Sequence, residues 1–98
     1  MIIWYKSKKL EKVCTDYASA QRVHGKDMAR IIHMRIDQIA AADSVESLVK
    51  YSIGRCHPLL GNRDGEYAMD LIQPYRLVFE VKKTEINIAK IVCIEDYH

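Results

Sequence analysis

Residues 55–80 read RCHPLLGNRDGEYAMDLIQPYRLVFE, and their alternation decides the fold. Tyr67, Met69 and Leu71 point one way and Glu66, Ala68 and Asp70 the other, the period of two that marks a strand with one apolar face. Gln73-Pro74 makes a turn. Beyond it Tyr75, Leu77, Phe79 and Val81 line one face and Arg76, Val78 and Glu80 its reverse. Upstream, Gly61-Asn62-Arg63-Asp64-Gly65 is a turn-rich loop, in which Asp64-Gly65 supplies the positive φ angles of a tight connection. The stretch is therefore hairpin sequence that also carries isolated cations, Arg55, Arg63 and Arg76, and one imidazole, His57.

On the C-terminal side, Lys82-Lys83-Thr84-Glu85 forms a further turn into a last strand from Ile86 to about Glu95. On the N-terminal side, Ile2 to Tyr5 are β-branched or aromatic and read as a short strand that stops at Lys6-Ser7. From about Lys8 to Val23, Leu10, Val13, Cys14, Tyr17 and Ala20 recur at helical spacing, and Gly25 ends that helix. A second helix runs from about Lys26 to Ala41 with Met28, Ile32, Ile36 and Ile39 on one face. Asp43 with Glu46 resembles a cap for a short third helix reaching about Tyr51, ended by Gly54. His24 and His33 fall on these helices without a partner in sequence and read as surface residues. The expected fold is α+β: an N-terminal strand and helices packed on a small antiparallel sheet, all within one domain over residues 1–98. In that arrangement Arg76 projects from the face opposite the core, where a surface pairing with Glu66, Asp70 or Glu80 competes with a functional role.

A 98-residue chain supports one modest core, and 49% hydrophobic with 29% charged residues is ordinary for a globular protein. No apolar run approaches the roughly 18 residues of a membrane span, and the opening Met-Ile-Ile-Trp-Tyr is too short for a signal peptide, so a cytoplasmic protein is expected. Three cysteines, Cys14, Cys56 and Cys93, with no CxxC pair, argue against a disulfide framework and a zinc ribbon. Cys56, His57, Cys93 and His98 could be gathered as ligands, but their spacing does not demand it, so no metal is assigned. A net charge of +2 is only weakly basic; its distribution says more. Lys6, Lys8, Lys9 and Lys12 concentrate charge near the start, and Lys8, Lys9 and Lys12 with Arg55 and Arg63 are candidate phosphate contacts.

The order strand, two helices and antiparallel strands, with His57-Pro58-Leu59, Gly61-x-Arg63-x-Gly65, Tyr75-Arg76-Leu77-Val78-Phe79 and terminal Glu95-Asp96-Tyr97-His98, resembles the HigB branch of the RelE/ParE toxin superfamily over nearly the whole chain. That resemblance implies a compact RelE-like fold and a type II toxin that cleaves messenger RNA in the ribosomal A site without a metal or other cofactor. It also implies neutralisation by a cognate helix-turn-helix antitoxin (HigA-like), with DNA met only through that antitoxin and no membrane partner. His57 matches the histidine of the HP motif, Arg76 the arginine of the aromatic-Arg strand, and Asp96, Tyr97 and His98 the terminal DYH, all implicated in the RNase site. Arg63 matches the loop arginine.

These residue types suit attack of a ribose 2′-OH on the adjacent phosphate, which leaves a 2′,3′-cyclic phosphate and a 5′-OH. A base removes the 2′ proton, an acid protonates the leaving 5′ oxygen, and a cation stabilises the phosphorane-like transition state. Arg76 suits the cation, because a guanidinium keeps its charge and offers planar donors. His57 and His98 supply base and acid in an order that sequence leaves open. Asp96 can orient an imidazole, and Tyr97 can stack on a base or bond a phosphate. Leu60 and Ile72 stand where basic residues occur in some relatives, so cationic assistance is thinner here: either activity is lower, or phosphate binding passes to Arg55, Arg63 or the N-terminal lysines. The alternatives are a ParE-like inhibitor of DNA gyrase on the same fold and a non-catalytic module that only binds an antitoxin.

Overall fold

The computed structural model describes residues 1–83 and 87–96. Its elements run β1 (Ile2–Tyr5), α1 (Lys8–Thr15), α2 (Tyr17–His24), α3 (Lys26–Ala41), α4 (Val45–Lys50), a 3-10 turn (Ile53–Arg55), β2 (His57–Pro58), β3 (Glu66–Asp70), β4 (Tyr75–Lys83) and β5 (Asn87–Asp96). Among the described residues the five strands form one sheet in the order β1-β5-β4-β3-β2. The α+β architecture is as expected. Two features refine it: β1 joins as an edge strand parallel to β5, and His57-Pro58 is a two-residue edge strand antiparallel to β3.

The helices cover one face of the sheet. Ile32, Ile36 and Ile39 of α3 and Val13 and Cys14 of α1 pack on Met69, Leu77, Phe79, Ala89 and Ile91, with Val45 and Leu48 of α4 closing one end. Phe79 is fully buried and lies parallel to the Tyr67 ring at 5.9 Å between centroids. The alternation in β3 and β4 thus resolves as the sequence indicates, Tyr67, Met69, Leu77 and Phe79 inward and Arg76 outward.

The helix expected over 8–23 is broken. Asp16 adopts extended backbone (φ −116°, ψ 109°) and its carboxylate accepts from the Ser19 hydroxyl at 2.6 Å. This local side-chain bond starts a new helix, and the break lets α2 turn back onto α3. The cap of α4 is Ser44 rather than Asp43, accepting from the Ser47 amide at 3.3 Å. His24 and His33 are half-buried instead of surface residues. His33 Nε2 meets the Val13 carbonyl at 3.1 Å and its ring stands edge-on to Tyr17, so it ties α3 to α1.

The helix layer reaches the far end of the sheet through Arg35 of α3, whose Nε donates to the Asp70 carbonyl at 2.7 Å and whose Nη1 donates to Gln38 at 3.0 Å. Gly54, at φ 56°, makes room for this arginine: a Cβ there would stand 2.7 Å from Arg35 Nε. The turn around Gly54 delivers Arg55 and His57 to the uncovered face of the sheet.

Candidate active site

The uncovered face is read from the strand register. Arg76 lies between Asp70 on β3 and Glu95 on β5, and the adjacent row is His57, Ala68, Val78 and Cys93. A bulge in β5 makes this possible. Ile91 pairs with Phe79 and Cys93 with Val78, so Val92 is an extra residue. Ala89 and Ile91 face the helices, and strict alternation would send Cys93 and Glu95 the same way. The bulge reverses the parity and turns both toward the open face beside Arg76, the re-aiming that bulges provide.

Glu95 is the hub. Its Oε2 accepts from Arg76 Nε at 2.9 Å and Nη2 at 2.7 Å, and from Arg63 Nη1 at 3.0 Å. Its Oε1 accepts from Arg63 Nη2 at 3.0 Å and from the Cys93 thiol at 3.3 Å. Arg63 is anchored at its near end by Glu66, Nε to Oε1 at 2.9 Å. Reaching from the loop before β3 to Glu95 on β5, it must cross β4 above Val78, which explains why Val78 and Ala68 are fully buried on a face that no helix covers. The hydrogen bonds from Arg63, then those from Arg76 and Cys93, outweigh burial and hold the Glu95 carboxyl down at about 2. Reciprocally, Glu95 and then Glu66 raise the pKa of Arg63, while burial and the bond to Glu95 lift the Cys93 thiol to about 11.

The surface pairing weighed for Arg76, with Glu66, Asp70 or Glu80, is thus replaced by one with Glu95, and the Arg76 side chain is only 16% exposed. Asp70 instead binds Arg55, Oδ2 to Nε at 2.6 Å. Arg55 sits in the left-handed region at φ 53°, uncommon for a residue with a side chain, and its carbonyl lies 2.8 Å from His57 Nδ1. A carbonyl only accepts, so Nδ1 carries the hydrogen and the lone pair of neutral His57 rests on Nε2. From strand spacing, His57 and Arg76 are separated by two strands and two residues, roughly 12 Å between Cα atoms.

Asp96 follows Glu95 and pairs with Tyr75, so alternation turns it away from the Arg76 row. Tyr97 and His98 lie outside the described residues. On α1, Lys8, Lys9 and Lys12 line a groove of about 330 Å³ together with Arg22 of α2, a cation that the sequence reading omitted. Arg22 was legible one helical turn past Ser19, but the break at Asp16 that swings it toward the lysines was not. Glu95, likewise overlooked, lay next to the residues singled out; only the bulge reveals its direction. The exposed leucine at 60 and half-exposed isoleucine at 72 confirm that no cation stands at those positions.

Among the described residues no helix is long and apolar enough to cross a membrane, and no three His, Cys, Asp or Glu side chains converge as metal ligands. No protein-family model matches the chain, and no curated protein matches it. Among solved structures it is similar to a YoeB/ParE toxin from Agrobacterium tumefaciens, with a TM-score of 0.61 and 18% identity over 100% of both chains. At that identity the likeness is one of fold, and it spans every element from β1 to β5.

Proposed function

We propose that this chain is the toxin of a type II toxin–antitoxin pair and a ribosome-dependent endoribonuclease that cleaves messenger RNA in the A site. The observation that carries the proposal is the gathering of Arg63 and Arg76 on Glu95 across the uncovered sheet face, the face that also carries His57. The fold it shares with a YoeB/ParE toxin supports the superfamily, and the terminal Asp96-Tyr97-His98 supports its HigB branch.

In this reading the scissile phosphate competes with Glu95 for the guanidinium donors of Arg76, with Arg63 as the second cation. A carboxylate held near 2 is too weak a base to take a 2′ proton at neutral pH, so Glu95 positions the arginines and His57 Nε2 is the base. His98 then protonates the leaving 5′ oxygen, and Tyr97 stacks on a base or bonds a phosphate; Asp96, turned from the Arg76 row, takes no direct part. Once the phosphate has taken guanidinium donors from Glu95, charge building on the phosphorane oxygens is met by those same cations. Lys8, Lys9 and Lys12 hold RNA phosphates outside the cut, and Arg55 supports the site from its bond to Asp70. Neutralisation by a HigA-like helix-turn-helix antitoxin and action in the cytoplasm complete the proposal.

A translation extract programmed with a defined messenger tests it. The parent protein should yield new 5′ ends within codons at the A site, while Arg76→Ala and His98→Ala should yield none. A parent that cleaves nothing on translating ribosomes but inhibits gyrase supercoiling would overturn the reading in favour of a ParE-like poison; inhibition of neither would leave an antitoxin-binding module.

A further inference from the structure

Trp4, the chain's single tryptophan, is half exposed on the edge strand β1. Its neighbours in β1, Ile3 and Tyr5, pack against the core, so the indole projects from the same uncovered face as Arg76. In the parallel register it stands beside Lys90 of β5. With Lys6, Lys8 and Glu11 these residues line an open depression of about 490 Å³. Three lysines against one carboxylate leave it cationic, and among the described residues none of the three lysines forms an ion pair. A half-exposed indole at a sheet edge offers an open π face beside these cations.

We infer that Trp4 is a stacking platform for one base of a single-stranded RNA, whose adjoining phosphates are held by Lys6, Lys8 and Lys90. The combination of a π face with flanking cations is what sequence-tolerant single-strand binding requires: every base can stack, and the lysines follow the backbone. The inference rests on the RNase reading and extends it, because it gives the substrate a second contact on the same face. Lys90 pairs with Glu80, and Glu80 lies four residues along β4 from Arg76. With β5 between β1 and β4, two strand spacings and four residues place Trp4 roughly 16 Å from Arg76. A few nucleotides of extended strand cover that distance, so the platform engages RNA to one side of the cut. Glu80, which lies between, is already paired with Lys82 at 3.3 Å, which reduces its repulsion of a passing phosphate.

Because Trp4 is alone, the fluorescence of the native protein reads the site directly. Titration with a single-stranded oligouridylate of about ten nucleotides, at low salt, should quench the emission in step with the anisotropy of fluorescein-labelled RNA. Trp4→Ala should weaken binding by anisotropy about tenfold, equivalent to about 1.4 kcal/mol, whereas Trp4→Phe keeps a π face and should retain most of the affinity. Lys90→Gln should weaken binding and flatten its salt dependence. Saturating RNA that leaves the emission unchanged, or equal affinities for Trp4→Ala and parent, would overturn the inference. So would emission that ignores RNA but shifts on adding the product of an adjacent helix-turn-helix gene, which would make the ring part of a protein interface. Failure of the RNase reading is distinguishable: a parent that does not cut messenger but is quenched with the Trp4→Ala loss intact binds RNA without cleaving it.

Discussion

Replacing Glu95 by glutamine removes the charge at the hub while keeping its shape, and its consequence follows from the carboxyl's environment. The fall from an ordinary 4.5 to about 2 corresponds to about 3.4 kcal/mol at about 1.36 kcal/mol per pH unit. With the Glu95 side chain a quarter exposed, solvent screening reduces this to about 1–2 kcal/mol. The folded-state value is depressed, so the contribution is present in full above about pH 4.5 and is lost as pH falls toward 2. Glu95→Gln should therefore unfold about 1–2 kcal/mol more easily than the parent at pH 7. The gap should hold to about pH 5, narrow steadily below it and close below about pH 2, as the parent carboxyl takes up its proton and comes to resemble the amide. Urea titrations at pH 7, 5, 3 and 2.5 measure it. In heating, the pH 7 gap amounts to about 4–8 °C in Tm for each kcal/mol in a domain of this size. A gap independent of pH, or no gap at pH 7, would refute the claim that Glu95 is an ionised clamp on the two arginines.

Gly54→Ala forces an alanine to φ 56° and drives its Cβ toward Arg35, whose guanidinium must leave the Asp70 carbonyl; a loss of about 1–2 kcal/mol in urea denaturation is expected. Cys14 and Cys56 are buried with thiols raised to about 12, so at pH 8 only about one molecule in ten thousand is thiolate, and Ellman's reagent should label them at a useful rate only in urea. Rapid native labelling of either would contradict their placement. Changing Lys8, Lys9 and Lys12 together to glutamine should lower the slope of log K against log salt for single-stranded RNA by about 2, at about 0.7 per phosphate contact, and an unchanged slope would remove α1 from the RNA path.

The parts of the fold that were legible from sequence are those written in local periodicity. Met69, Leu77 and Phe79 alternate with polar neighbours because each strand has one wet face, and Ile32, Ile36 and Ile39 recur at helical spacing for the same reason. Three departures were decided by interactions that periodicity does not encode. Asp16 prefers a side-chain bond to Ser19 over continuing the helix. Strand β1 finds β5 from the other end of the chain. Val92 is one residue too many for its ladder, and it turns Glu95 from the core to the open face. Of the site, His57, Arg63 and Arg76 could be named because isolated cations and an imidazole stand out in hairpin sequence. Their partner could not, since the counter-ion of a half-buried arginine is chosen by cross-strand register.

The most direct measurement of the central claim is single-turnover cleavage of messenger on purified ribosomes, with the new ends analysed chemically, for the parent and Arg76→Ala. The account predicts that the parent leaves a 2′,3′-cyclic phosphate and a 5′-OH. Arg76→Ala, folded by circular dichroism, should be at least about a hundredfold slower. Cleavage by Arg76→Ala at the parent's rate, or no cleavage by the parent, would contradict it.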